Sequence, residues 1–138
     1  MNKSKQIIVM RKSFVIDGKK VTPRKGKYIA QGAHASMKAL LDHFNEYELL
    51  KYFDLKHNTN TALKDWLEGS FTKVCCVVET EEEIIALYEK AKEKGLICSL
   101  IKDAGLTEFG GIPTITCCAI GPAWSDEVDE ITGELELF

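Results

Sequence analysis

The strongest constraint in this chain is the way its apolar residues change period. Short runs rich in apolar and β-branched residues, Ile7-Ile8-Val9-Met10, Phe71 to Glu79, Leu96 to Ile101 and Pro113 to Ile120, alternate with stretches in which apolar residues recur every three or four positions. Runs of the first kind suit buried strands; the second spacing suits amphipathic helices. The first helix is expected over about 26–44. There Ile29, Ala30, Ala33, Met37, Leu40, Leu41 and Phe44 share one side, while Lys27, Gln31, His34 and Lys38 fall on another. A second helix starts at Thr80-Glu81-Glu82-Glu83, a capping box that serves orphan backbone amides, and Gly95 stops it. This order of elements predicts an α/β fold, a three-layer sandwich. Its sheet is expected to be mixed and mostly parallel, of about four strands, with helices on both faces.

The remaining segments are punctuated by turn and cap residues. Asp17-Gly18 suits a tight turn that needs positive φ. Residues 45–70 read as a helical insert, broken at His57-Asn58-Thr59-Asn60. Gly121-Pro122 is expected to end a strand, Ser125 to cap a short helix through Ile131, and Leu135 to Phe138 to add a terminal strand. A length of 138 residues with 45% hydrophobic content suits one domain over 1–138.

A formal charge of -3 argues by itself against nucleic-acid binding, but the charge is unevenly spread. Residues 1–27 hold nine Lys and Arg against the single Asp17, a net of +8, and the other 111 residues total -11. Such a segment fits a localised anion site. No apolar run approaches the roughly 18 residues of a membrane span, and Ile7 to Met10 is too short for a signal peptide, so a cytoplasmic protein is expected. The five cysteines, Cys75, Cys76, Cys98, Cys117 and Cys118, lack metal-ligand spacing and read as buried reduced thiols.

In an open α/β sheet, ligands gather beyond the carboxyl ends of parallel strands. Three polar segments should meet there: Arg11 to Lys27, the start of the first helix, and the glycine-rich loop 102–112. Lys27, Gln31 and His34 are three to four residues apart and share a helix face near a terminus whose exposed amides favour a phosphate. Asp103 and Thr107 leave the following strand as a carboxylate and a hydroxyl. Each has an ordinary structural reading as well, and the residues alone support an α/β domain with a polar, anion-accepting cleft.

Three motifs occur in order along the chain. They are Gly26-Lys27-Tyr28-Ile29-Ala30-Gln31-Gly32-Ala33-His34-Ala35, then Lys102-Asp103-Ala104-Gly105-Leu106-Thr107, then Ala119-Ile120-Gly121-Pro122 with Ile131-Thr132-Gly133-Glu134-Leu135. They resemble the helix start, the Asp-Ala-Gly-x-Thr loop, and the closing strand and tail of the type 2 (archaeal and eukaryotic-type) peptidyl-tRNA hydrolase family. The resemblance implies hydrolysis of the ester between peptide and tRNA without a metal or other cofactor. It also implies a homodimer and places Lys27, Gln31, His34, Asp103 and Thr107 at motif positions, with Thr114 standing for a second threonine.

On that basis Asp103 positions or deprotonates water, helped by Thr107 or Thr114, Lys27 stabilises negative charge, and Gln31 and His34 orient these groups. Arg11, Lys12, Lys19, Lys20, Arg24 and Lys25 would hold phosphates of the tRNA acceptor stem. The chain departs from the family in a longer Arg11 to Gly26 segment, in Glu108 where a Gln is usual, and in a loop to Thr114 that reads one residue shorter. Glu108 and that loop define the alternative, a non-catalytic RNA- or protein-binding module on the same fold.

Overall fold

Alternation along the strands decides which helix each one meets. The computed structural model describes residues 3–46, 61–105 and 108–138. Strand β1 (Ser4–Arg11) runs through the middle of the sheet, and its neighbours are β4 (Lys73–Val78) on one side and β6 (Thr114–Trp124) on the other. Because side chains alternate across a sheet, Ile7 and Val9 of β1 join Cys118 and Ile120 of β6 on one face, whereas Met10 joins Cys117 and Ala119 on the opposite face. The first face is covered by α3 (Glu81–Glu93) and α4 (Ser125–Thr132), through Ile84, Leu87, Ala91 and Val128. The second is covered by α1 (Lys25–Glu46) and α2 (Thr61–Asp65), through Ala35, Ala39, Phe44 and Leu63. The sandwich is therefore three-layered, as the alternation of periods implies. Each fully buried aliphatic side chain contributes roughly 1.5–3 kcal/mol to it.

The expected strand pairing needs correction. The sheet has five strands in the order β5-β6-β1-β4-β7, with β5 at Cys98–Asp103 and β7 at Glu136–Leu137. Among the described residues only β1 and β4 pair in parallel; β1–β6, β5–β6 and β4–β7 are antiparallel. The helix-linked units do keep their direction, since β1, β4 and β5 all point the same way. However, β5 lands at the far edge, and β6 returns from it through residues 104–113. That link is shorter than the dozen or more residues a parallel crossover needs, so β6 enters antiparallel between β5 and β1.

Two further expectations are revised at the strand and helix ends. Strand β6 does not stop at Gly121-Pro122 but continues to Trp124. The register moves from Ile7 opposite Ile120 to Lys5 opposite Ala123, so Gly121 and Pro122 together face Gln6 alone. A bulge of this kind absorbs a proline that cannot donate to the ladder. Ser125 does not cap α4; its hydroxyl donates to the Lys3 carbonyl at 2.6 Å. The Thr80 cap is present, with the Glu83 amide donating to the Thr80 hydroxyl at 3.1 Å and that hydroxyl donating to the Glu83 carboxylate at 2.9 Å.

Phe14–Ile16 (β2) and Lys19–Val21 (β3) pair as a separate hairpin, turned by Asp17 and Gly18 at φ 50° and 76°. Of the insert expected over 45–70, residues 47–60 lie outside the described residues; α2 leads into one wide turn, Trp66–Ser70, closed by the Phe71 amide on the Trp66 carbonyl at 2.9 Å. Cys76, Cys117 and Cys118 are buried, and burial pushes the Cys117 thiol up to about 12. Cys75 is exposed, contrary to expectation, because its side of β4 lines an open apolar groove instead of meeting a helix. Among the described residues no helix is long and apolar enough to cross a membrane.

Candidate functional site

The carboxyl end of β5 and the amino end of α1 meet at one place. Pro23 is buried, and the Arg24 carbonyl accepts the Lys27 amide at 3.0 Å, which opens α1 directly after the basic segment. Packing of α1 on β5 and β6 then brings Lys27 and Gln31, one helical turn apart, over the last residue of β5. Lys27 Nζ donates to Asp103 Oδ1 at 3.0 Å, and Gln31 Nε2 donates to the same oxygen at 3.1 Å. The Gly105 amide donates to Oδ2 at 2.8 Å. Gly105 sits at φ 82°, where a Cβ would collide with the Ile112 carbonyl, so glycine is what lets the loop fold back over Asp103.

The Lys27 and Asp103 side chains are only 13% and 16% exposed, so the pair is mostly shielded from water. Burial acts to raise the Asp103 pKa. The Lys27 hydrogen bond, the Gly105 amide, the Lys27 charge and Gln31 outweigh it and hold the carboxyl below its ordinary value. Asp103 is therefore a carboxylate at neutral pH, and a weak base.

Gln31 is 2% exposed, so its amide needs partners at both ends. Thr116 supplies the second one: its hydroxyl donates to Gln31 Oε1 at 2.6 Å. With the oxygen so occupied, the NH2 group is aimed at Asp103. The Cys117 thiol completes the seat by donating to the Gln31 carbonyl at 3.3 Å.

The expected residues divide into those that join this cluster and those that do not. Thr114 pairs with Asp103 across the β5–β6 ladder, but its hydroxyl donates to the Ile112 carbonyl at 2.7 Å. His34 is exposed on α1 and shares none of the bonds that join Lys27, Gln31 and Asp103 among the described residues. Thr107 lies outside the described residues.

Lys12, Lys19, Lys20 and Lys25 are exposed around the site. Arg11 instead turns inward, donating to the Ile115 carbonyl at 2.8 Å, with burial lowering its pKa. Arg24 donates through Nε and its backbone amide to the two Glu108 oxygens, at 2.8 and 3.0 Å. Hydrogen bonds from Arg24 hold Glu108 below the ordinary carboxylate range, and its negative charge is spent at the α1 amino end, where the helix dipole favours it. Together Arg24, Gly26, Lys27 and Glu108 line a cleft of about 470 Å³. Among the described residues no group of three His, Cys, Asp or Glu side chains is placed to hold a metal ion.

A family model described as Peptidyl-tRNA hydrolase PTH2 matches residues 4–138. The chain belongs to this family. Among its relatives, the peptidyl-tRNA hydrolase of Methanocaldococcus jannaschii is 40% identical over 114 residues, covering 83% of this chain and 88% of the relative. Those of Methanopyrus kandleri and Thermococcus onnurineus are 35% and 36% identical and cover 97% and 99% of both chains. In this member of the PTH2 family, Thr116 is the cluster residue that sequence reasoning passed over. Thr114 and Thr116 lie two apart in one strand and share a face, which is the signal that should have admitted both. The residue that reaches Gln31 could be chosen only with the strand register known.

Proposed function

We propose that this chain hydrolyses the ester joining peptide to tRNA in peptidyl-tRNA, releasing free tRNA and peptide, at the cluster of Lys27, Gln31 and Asp103. The observation that carries this reading is the shielded Lys27–Asp103 pair, whose lysine lines the cleft, in a chain of the PTH2 family. Hydrolysis of an ester needs a placed water, stabilisation of the oxyanion and a proton for the departing ribose oxygen. Asp103 Oδ1 is filled by Lys27 and Gln31, while Oδ2 carries the Gly105 amide and has acceptor capacity for a water proton. A carboxylate with a lowered pKa orients that water better than it deprotonates it. Lys27 supplies the positive charge for the tetrahedral oxygen, and the proton shed by water ends on the ribose oxygen.

Thr116 holds Gln31, and Thr107 or Thr114 helps Asp103 with the attacking water. His34, exposed further along α1, helps to seat the substrate. Lys12, Lys19, Lys20, Arg24 and Lys25 meet acceptor-stem phosphates. Arg11 serves them indirectly, by holding the hairpin root. The binding-module alternative drew on Glu108 and the shorter loop to Thr114, and the pairing of Glu108 with Arg24 offsets the repulsion that gave the first its weight. The whole chain works as one domain and as a homodimer, in the cytoplasm. In support of a dimer, exposed Ile29, Met37 and Phe71 rim an apolar groove that a second copy would cover.

Release of tRNA from a model peptidyl-tRNA, compared with hydrolysis of acyl esters lacking RNA at two salt concentrations, tests the substrate class. Turnover confined to the RNA ester and falling with salt is expected. Equal turnover of esters without RNA would contradict the proposal.

A further inference from the structure

The hairpin at residues 14–21 is joined to the site by two buried aromatic rings. Phe14, at the first position of β2, is 2% exposed, and its ring centroid lies 4.6 Å from that of Phe109, which is fully buried in the loop after β5. On the hairpin side, the Arg11 guanidinium sits 4.4 Å from the centre of the Phe14 ring while donating to the Ile115 carbonyl. On the site side, Lys27 Nζ lies 5.5 Å from the centre of the Phe109 ring. The contacts form an unbroken series: Arg11, Phe14, Phe109, Lys27. Ile16 adds a second point of attachment, since its side chain lies 3.5 Å from where a Cβ on Gly110 would stand. The outer surface of the hairpin is different in kind, with Val15 69% exposed and Lys19 and Lys20 open to solvent.

Lys27 is drawn toward Asp103 by charge and a hydrogen bond, and the ammonium also lies within cation–π range of the Phe109 ring. An ammonium on a four-carbon stem has many rotamers. A ring on one side and a carboxylate on the other restrict them. Phe109 is in turn backed by Phe14, whose place depends on the hairpin.

We propose that Phe14 and Phe109 are positioning residues that couple the basic hairpin to Lys27. On the reading that the substrate is peptidyl-tRNA, phosphates seated on Lys19 and Lys20 then lie at a fixed offset from the ammonium that meets the ester. The hairpin is part of the catalytic geometry as well as a binding arm.

The test uses Phe14→Leu and Phe109→Leu, which keep apolar bulk and remove the ring. With peptidyl-tRNA as substrate, each lowers kcat about fivefold, the scale of one partly shielded cation–π contact, and leaves KM within about twofold. A rise in KM with kcat intact, or no change in either, would overturn the proposal, because a hairpin that only binds substrate predicts one and an unconnected one predicts the other. A second readout needs no turnover. The Lys27 ε-methylene resonances, displaced by the ring in the wild-type protein, return toward their ordinary position in both variants. Unmoved resonances would refute the coupling even in a chain inactive on peptidyl-tRNA, which separates failure of this inference from failure of the substrate reading. Phe14→Leu, the change further from Lys27, carries the test if Phe109→Leu does not fold.

Discussion

Asp103 concentrates the electrostatics of the site. Three donors hold its carboxyl below the ordinary aspartate value of about 3.9. A carboxyl with a depressed folded-state pKa stabilises the fold fully above its unfolded value, and that contribution is lost as pH falls through the folded value. A carbon-detected NMR titration should therefore place the Asp103 midpoint below about 3.9, and Lys27→Met should move it upward by removing both a hydrogen bond and a charge. Thr116→Val should lower kcat/KM roughly tenfold and stability by about 1–2 kcal/mol, since it leaves the buried Gln31 oxygen without its donor. Thr114→Val, whose hydroxyl serves only its own loop among the described contacts, should cost less on both measures, as read by steady-state kinetics and thermal melts. That Lys27, Gln31 and His34 share one helix face was legible from spacing, although only Lys27 and Gln31 meet Asp103 among the described residues. Glu108 was not: its effect turns on Arg24, 84 positions away in sequence.

At the scale of elements, turn chemistry was easier to read than pairing. Asp17-Gly18 announced a tight turn, though not the two strands it joins, and Thr80 with Glu83 announced the start of α3. Gly121-Pro122 misled because the pair normally breaks a strand, and only a bulge at the pair itself, opposite Gln6, lets β6 pass through it. The loop between β5 and β6 is where backbone geometry and chemistry are most tightly joined. Gly105 holds positive φ, donates to Asp103 and accepts the Gly111 amide at 2.7 Å. Gly105→Ala should cost about 2–4 kcal/mol of stability through strain and collision with the Ile112 carbonyl. Chemical denaturation would measure the loss, and a variant as stable as the wild type would show that the loop has room to move.

Over the whole molecule, two linear facts became spatial ones. Alternating periods foretold the three layers, but sheet order is a long-range property, and a ten-residue return from β5 was enough to make most pairings antiparallel. Of the nine basic residues over 1–27, the seven from Arg11 to Lys27 follow the end of β1, the hairpin and the start of α1 toward the Lys27–Asp103 pair, whereas Lys3 and Lys5 lie at the other end of β1, where Lys5 pairs with Asp129. The acidic remainder includes Glu81 to Glu83 at the start of α3, which packs on the opposite face of the sheet although Glu81 and Glu82 still act on the Arg11 charge, and Asp126 to Glu136 toward the carboxyl end. A protein with an overall charge of -3 can thus present a local field suited to RNA phosphates. The most direct measurement is release of free tRNA from a model peptidyl-tRNA by the wild-type protein and by Asp103→Asn in parallel. The account predicts turnover by the wild type and a loss of at least about a hundredfold in the variant at an unchanged fold. No release by the wild type, or undiminished release by Asp103→Asn, would contradict it.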